Sequence, residues 1–146
     1  MSKSKNKSKV AIITGATSGI GLATARTLAA QGHNLILTGR RADRLAELKE
    51  GFHEEYGIEI TILNFDVRNN DATETVLNGL SDELKEVDVL INNAGLAKGF
   101  EPIHNGSLDH WNTMIDTNIK GLLYVTKVVA PWMVKRGEGH IINIAS

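Results

Sequence analysis

Gly15, Gly19 and Gly21 follow four apolar residues, Val10-Ala11-Ile12-Ile13, within the stretch Thr14-Gly15-Ala16-Thr17-Ser18-Gly19-Ile20-Gly21. Glycines here let the backbone turn sharply and let a ligand or a neighbouring strand approach without meeting a Cβ. Ile20, Ala23, Thr24, Thr27 and Leu28 then recur at helical spacing, so the stretch reads as strand, tight turn and helix N-terminus. The first N–H groups of such a helix lack partners and sit at the positive end of its dipole, which makes a phosphate the natural occupant. The spacing differs by one residue from the Gly-x-Gly-x-x-Gly dinucleotide fingerprint, and a turn that binds nothing could carry the same glycines. The candidate phosphate-binding residues are Gly15, Thr17, Ser18, Gly19, Ile20 and Gly21.

A second apolar run, Asn34 to Thr38, ends in Gly39-Arg40-Arg41. A carboxylate at such a strand end would bond a ribose 2′-hydroxyl and select NAD. None precedes Arg40 and Arg41, whose planar forks bind phosphate oxygens in pairs and suit the 2′-phosphate of NADP. A solvated basic pair opening a helix is the plainer account, although positive charge is mildly unfavourable there. NADP is the expected cofactor. Asp66-Val67 ends the third run, where a carboxylate can accept from an adenine amino group while the backbone holds the ring. An ordinary Asx turn explains that pair equally well. Asn92-Asn93-Ala94-Gly95 follows the fourth run and makes Asn93, Ala94 and Gly95 candidates to line a cofactor ribose, or else forms a simple turn. Asn118 falls in mid-helix, where a buried amide needs partners and either ties helix to strand or organises a water.

Composition narrows the field. With 146 residues, 42% hydrophobic and 23% charged, the chain has the size and balance of one globular domain. A formal net charge of −1 offers no general basic field for nucleic acid or an anionic membrane. No apolar run approaches about 18 residues and none near the start resembles a secretory signal. No membrane association is expected, and a cytoplasmic location is. The absence of cysteine excludes thiolate catalysis and Cys-bound metal in this chain. His33, His53, His104, His110 and His140 lack the close spacing of a zinc site, and no metal is expected.

The elements that must position these residues follow from periodicity. Met1–Lys9 alternates Lys with Ser and Asn and reads as a disordered, solvated tail. Strands are expected at 10–13, 34–38, 58–65, 87–91 and 139–145. Helices are expected from about Ser18 to Ala30, Asp43 to Tyr56 and Asn70 to Leu80. Leu96 to Gly106 reads as a loop, followed by one long helix from an N-cap at Ser107 to about Arg136. Trp111, Met114, Ile115, Ile119, Leu122, Leu123, Thr126, Val129 and Met133 keep helical spacing along it, and Pro131 should bend or shorten its last turn. Strands alternating with helices imply an α/β fold with a doubly wound parallel sheet, order 3-2-1-4-5, and helices on both faces. Ligands of such sheets bind beyond the carboxyl ends of the strands. The glycine turn, Arg40, Arg41, Asp66, Asn92 to Gly95 and Ser146 all sit at those ends.

Taken jointly, Thr14-Gly-Ala-Thr-Ser-Gly-Ile-Gly21, Asn92-Asn-Ala-Gly95, Asn118 and Asn143-Ile-Ala-Ser146 resemble the short-chain dehydrogenase/reductase family, with its Rossmann-like fold, over all but the Lys-rich tail. Thr38-Gly-Arg-Arg41, Asp66-Val-Arg-Asn69 and Asn92 to Ala97 are most similar to an NADP-dependent branch that oxidises serine, allo-threonine and related 3-hydroxy acids. The resemblance implies an NADP-dependent oxidoreductase that moves a hydride between NADP(H) and a small hydroxy or keto substrate. It implies that Gly15, Gly19 and Gly21 cradle the pyrophosphate and that Arg40 and Arg41 take the 2′-phosphate. Asp66 and Val67 would hold adenine, and Asn93 would face the ribose next to the nicotinamide. Ser146 would hydrogen-bond the substrate oxygen, and Asn118 would position a water in a proton relay.

One motif of that family is missing. Its general acid/base is a tyrosine in Tyr-x-x-x-Lys, about a dozen residues beyond the serine, and the 146 residues stop short of it. Tyr56 and Tyr124 are the only tyrosines, with Ile60 and Val128 where lysine would stand. The expectation is that residues 10–146 are the N-terminal, cofactor-binding part of a longer enzyme, inactive alone and lacking the family's later strands. The fifth strand would then be an uncovered edge. A catalytically silent NADP-binding or interaction module is the alternative, while an adenosyl cofactor, as in methyltransferases, fits the fold but not the arginines. The long helix 107–136 is the expected surface of a homo-oligomer, a dimer or tetramer.

Overall fold

The computed structural model describes residues 7–145. Five strands, β1 (Val10–Ile13), β2 (Asn34–Gly39), β3 (Ile60–Asn64), β4 (Val89–Asn92) and β5 (His140–Asn143), form one sheet in the order β3-β2-β1-β4-β5. Every pairing is parallel, with Ile12 opposite Ile36 on one side and Leu90 on the other. This is the expected order. Between the strands lie α1 (Gly19–Ala30), α2 (Ala42–Tyr56), α3 (Asn70–Asn78), a short 3-10 turn (Ile103–Asn105) and the segment from Leu108 to Arg136.

The central strands are apolar at consecutive positions because both faces are covered. Ala11, Ile13, Leu35 and Leu37 pack with Ala25 and Ala29 of α1 and with Leu45 and Phe52 of α2. Ile12, Ile36 and Leu90 face the other way, onto Leu77 of α3 and onto Val125 and Val129. Each fully buried Ile or Leu contributes roughly 1.5–3 kcal/mol relative to exposure. Local chemistry sets the helix starts. Asn69 accepts from the Ala72 N–H at 3.0 Å to cap α3, and Ser107 accepts from the His110 N–H at 3.4 Å, as its sequence position suggested.

The apolar stretch from Ser107 to Arg136 is not one regular helix. It divides into α4 (Leu108–Ile115), a π-helical turn (Asp116–Gly121) and α5 (Leu122–Arg136). Two contacts lie at the break. The Thr117 hydroxyl donates to the Thr113 carbonyl at 2.8 Å, a back-bond that bends helices. The backbone at Gly121 also lies so close to the turn after β3 that a Cβ there would stand 2.7 Å from Val67 Cγ2. The turn resets the buried face to Thr117, Gly121, Val125, Val129 and Met133. Ile115, Ile119 and Leu123, expected on the apolar spacing, are 44%, 55% and 56% exposed. Pro131 does not shorten α5, because buried Val129 and Met133 on either side hold the last turns on the sheet through to Arg136.

At the amino ends of the strands, Arg136 closes α5 onto β4. Its guanidinium donates to the Val87 carbonyl at 2.8 Å, to Asp88 at 3.3 Å and to Glu138 at 2.9 Å. Asp88 in turn accepts from the Val10 N–H at 2.8 Å. Met1 to Asn6 of the expected tail lie outside the described residues, and so does Ser146. Lys7 pairs with Glu86 at 2.6 Å, and the Lys9 carbonyl accepts from Asn34 at 2.8 Å. Among the described residues β5 is an edge strand, with His140, Ile142 and Asn143 exposed, and no helix is long and apolar enough to cross a membrane.

Candidate functional site

A cleft of about 360 Å³ opens at the carboxyl ends of β1, β2, β3 and β4. Its floor is the turn between β1 and α1. Gly15 takes φ +63° there, and a Cβ on it would stand 2.8 Å from Ala94 Cα. A Cβ on Gly21, beneath the floor, would strike the Gly15 carbonyl and the Asn93 carboxamide. These two glycines let two loops stack. Gly19 differs, since a Cβ on it would meet nothing within 4 Å, although its φ of +57° disfavours one. The space above it is open.

Thr14 joins the two loops. Its hydroxyl accepts from the Asn93 and Ala94 N–H groups at 3.0 and 2.9 Å, and Asn93 Nδ2 donates to the Gly15 carbonyl at 3.0 Å. The helix above the floor starts without a cap: Ser18 holds the N-cap position but makes no side-chain bond, and the first turn of α1 has no acid. Its free N–H groups and dipole point into the cleft, where Ile20 stands 61% exposed.

Arg40 and Arg41 form the wall at the end of β2. Both are exposed, and neither guanidinium makes a hydrogen bond or ion pair among the described residues. Arg41 occupies the N-cap position of α2, where positive charge opposes the dipole. Beside them the Thr38 hydroxyl is buried without a partner. Asp66 and Val67 form the opposite wall. Asp66 makes the Asx turn, accepting from the Arg68 N–H at 3.0 Å, and it also lines the cleft, so the two accounts of this residue hold together. The Arg68 guanidinium hydrogen-bonded to Asp66, with Arg40 nearby, holds its carboxyl below the usual carboxylate range.

Thr17, Ser18, Asn93, Ala94 and Gly95 complete the lining, together with Phe65, Leu96 and Thr117, which sequence reasoning did not single out. Leu96 falls within the stretch Asn92 to Ala97 and Phe65 closes the third expected strand, but nothing in the sequence assigned any of the three a place in the site. Asn118 stands apart from the lining. It is exposed on the π-helical turn rather than buried, and its carboxamide is bonded on both sides to Leu96, Oδ1 from the N–H at 2.9 Å and Nδ2 to the carbonyl at 2.8 Å. The side chain ties the π-helical turn to the loop after β4, not helix to strand as the sequence suggested. Asn92 is buried and donates to Thr126 at 2.9 Å and to Asn143 at 3.0 Å. Neither Tyr56 nor Tyr124 lines the cleft.

The residues present fit a dinucleotide. A floor closed to side chains at Gly15 and Gly21 and open above Gly19 suits a pyrophosphate, and an uncapped helix supplies its donors. Two unpaired guanidiniums suit a further phosphate. The family model for short chain dehydrogenases matches residues 9–146. The chain belongs to the short-chain dehydrogenase family. Within that family it is 50% identical over 137 residues to the NADP-dependent 3-hydroxy acid dehydrogenase of Escherichia coli, covering 94% of this chain and 54% of that one. It is 45% identical over 140 residues to sulfoacetaldehyde reductase 2 of Chromohalobacter salexigens, covering 95% and 55%. The solved closed form of serine dehydrogenase complexed with NADP+ superposes with a TM-score of 0.86 at 50% identity, over 94% of this chain and 54% of that one. The chain thus spans about half the length of the short-chain dehydrogenases it matches.

Proposed function

We propose that residues 10–146 form the NADP-binding domain of an oxidoreductase that moves a hydride between NADP(H) and a small hydroxy or keto compound. A 3-hydroxy acid is the substrate class favoured by the 50% identical relative. The observation that carries the reading is the unpaired Arg40 and Arg41 beside an uncapped helix N-terminus in one cleft. When bound, the cofactor supplies a nicotinamide that gives or takes the hydride. The chain's own residues bind and orient it: the turn from Gly15 to Gly21 holds the pyrophosphate, and Arg40 and Arg41 hold the 2′-phosphate. Asp66 and Val67 hold adenine, and Asn93, Ala94 and Gly95 border the ribose. Ser146 bonds the substrate oxygen. Leu96 takes one acceptor and one donor position of the Asn118 carboxamide, and the exposed side chain keeps one of each for a water.

The exposed Ile115, Ile119 and Leu123 support a further part of this reading, in which the 107–136 segment pairs with a second copy in a cytoplasmic dimer or tetramer. Residues 1–9 precede the domain as a Lys-rich tail. The 146 residues alone are expected to bind cofactor without turnover, since neither tyrosine lines the cleft.

Calorimetric titration of the full-length protein with NADPH and NADH tests the proposal. NADPH is expected to bind at least about tenfold tighter. Arg40→Ala or Arg41→Ala should weaken NADPH about tenfold while leaving NADH nearly unchanged. Equal affinities in the wild type, or unchanged NADPH affinity in both variants, would overturn it.

A further inference from the structure

Asn78 stands before Gly79, and Asn105 stands before Gly106. An Asn–Gly pair is open to attack on its own carboxamide, because the glycine has no side chain to shield its backbone nitrogen. That nitrogen attacks Cγ of the asparagine. An N–Cγ bond forms, the Cγ–Nδ2 bond breaks, and the displaced amide leaves as ammonia with the glycine N–H proton. One water then opens the succinimide that results. Opening at Cγ gives an aspartate, and opening at the main-chain carbonyl gives an isoaspartate whose peptide bond runs through Cγ. Nothing is oxidised or reduced.

The nitrogen must leave its hydrogen bond before it attacks, so local opening of the fold decides which pair reacts. Gly79 closes α3, and its N–H donates to the Thr75 carbonyl at 3.1 Å. Leu77 and Leu80 flank it in the core, so freeing Gly79 means lifting the end of α3 from its packing. Asn105 instead ends the 3-10 turn, where the Gly106 N–H reaches the Ile103 carbonyl at 3.3 Å. Bonds of this type are poorly aligned. The Trp111 ring backs Gly106, but residues 99–105 are all exposed, Phe100 at 97% and Ile103 at 78%. The Asn105 carboxamide makes no hydrogen bond among the described residues. We infer that Asn105 is a self-modification site, converted with water to aspartate and isoaspartate, while α3 protects Asn78.

The isoaspartate also acts on Trp111. The Gly106 backbone lies so close to that ring that even a Cβ would strike it. A chain lengthened by one carbon at position 105 does not fit this seat, and the first turn of α4 loosens with it. Its reporter is the Trp111 amide, which donates to the Ser107 carbonyl at 3.1 Å.

The experiment is incubation of the full-length protein at mildly alkaline pH, followed by peptide mapping that separates aspartate from isoaspartate. In the native protein position 105 is expected to convert at least about tenfold faster than position 78. In denaturing urea the two should convert within about threefold of each other, because both are then unprotected Asn–Gly pairs. Asn105→Gln, which must close a larger ring, should abolish product at 105 and leave the rate at 78 unchanged. Isoaspartyl protein should exchange its Trp111 amide faster, whereas Asn105→Asp, which adds the charge without lengthening the chain, should not. Equal native rates at the two positions, or faster conversion at 78, would overturn the assignment of the site. Unchanged exchange at Trp111 in the isoaspartyl protein would overturn the effect on α4.

Discussion

The carboxamide of Asn118 makes with Leu96 the two hydrogen bonds that a neighbouring strand would make, accepting from its N–H at 2.9 Å and donating to its carbonyl at 2.8 Å. The side chain thereby fastens the loop after β4 to the π-helical turn, and a Cβ on Gly95 would stand only 3.0 Å from Asn118 Oδ1. Replacing Asn118 with Leu should cost about 1 kcal/mol, since water can satisfy the freed groups of partly exposed Leu96. Hydrogen exchange should report it as lost protection at the Leu96 amide. Asn118→Asp keeps the acceptor but sets a charge against the Leu96 carbonyl, and should protect that amide while remaining less stable than the wild type.

Thr14 is 2% exposed, and two N–H groups converge on its hydroxyl. Thr14→Val keeps the shape and orphans both donors, at about 1–3 kcal/mol for each one left unsatisfied. Chemical denaturation should register that loss, and titration should find weaker cofactor binding as the two loops part. Thr14→Ser should restore most of both.

Cofactor choice should respond to Gly39. A Cβ there would sit 3.0 Å from Thr17 Cγ2, a contact that a small shift of one side chain relieves. Gly39→Asp places a carboxylate at the end of β2, where it repels a 2′-phosphate and can bond a 2′-hydroxyl. NADPH affinity should fall by about tenfold or more and NADH affinity should rise. An unaltered ratio would show that the wall formed by Arg40 and Arg41 does not discriminate.

The pair of Asp66 and Arg68 also sets a pH signature. The folded-state pKa of Asp66 is lowered, chiefly by its side-chain hydrogen bonds from Arg68. The stability it contributes is therefore present above the ordinary carboxyl pKa and disappears as pH falls through the lowered value. Partly exposed as it is, the pair should contribute under about 1 kcal/mol at neutral pH. Urea denaturation of Arg68→Met should show a deficit of that size, constant from neutral to mildly acidic pH. The deficit should shrink only in strong acid.

The sheet order and the phosphate cradle were legible because their causes are local. Consecutive apolar residues in β1 and β2 announce burial on both faces, and the glycines from 15 to 21 announce a turn that admits no side chain at two positions. The break after α4 was not legible, because the contact at it, Gly121 against Val67, spans 54 positions of sequence. With the break went the face of the helix: Ile115, Ile119 and Leu123 keep apolar spacing, yet the π-helical turn rotates them outward. Asn118 was noticed for its type and misjudged in its burial for the same reason. Arg68 reads in sequence as one more solvated base, and its grip on Asp66 emerges only from the Asx turn that folds it back.

Arg136 fastens α5 to the start of β4 at the end of the sheet opposite the cleft. A 15-residue helix fastened there is a lever about 22 Å long. A tilt of about 3° about this fulcrum carries the far tip through about 1 Å. The tip adjoins the π-helical turn, with Asn118 and its hold on Leu96, so a rotation of α5 about its anchored end would reach the mouth of the cleft.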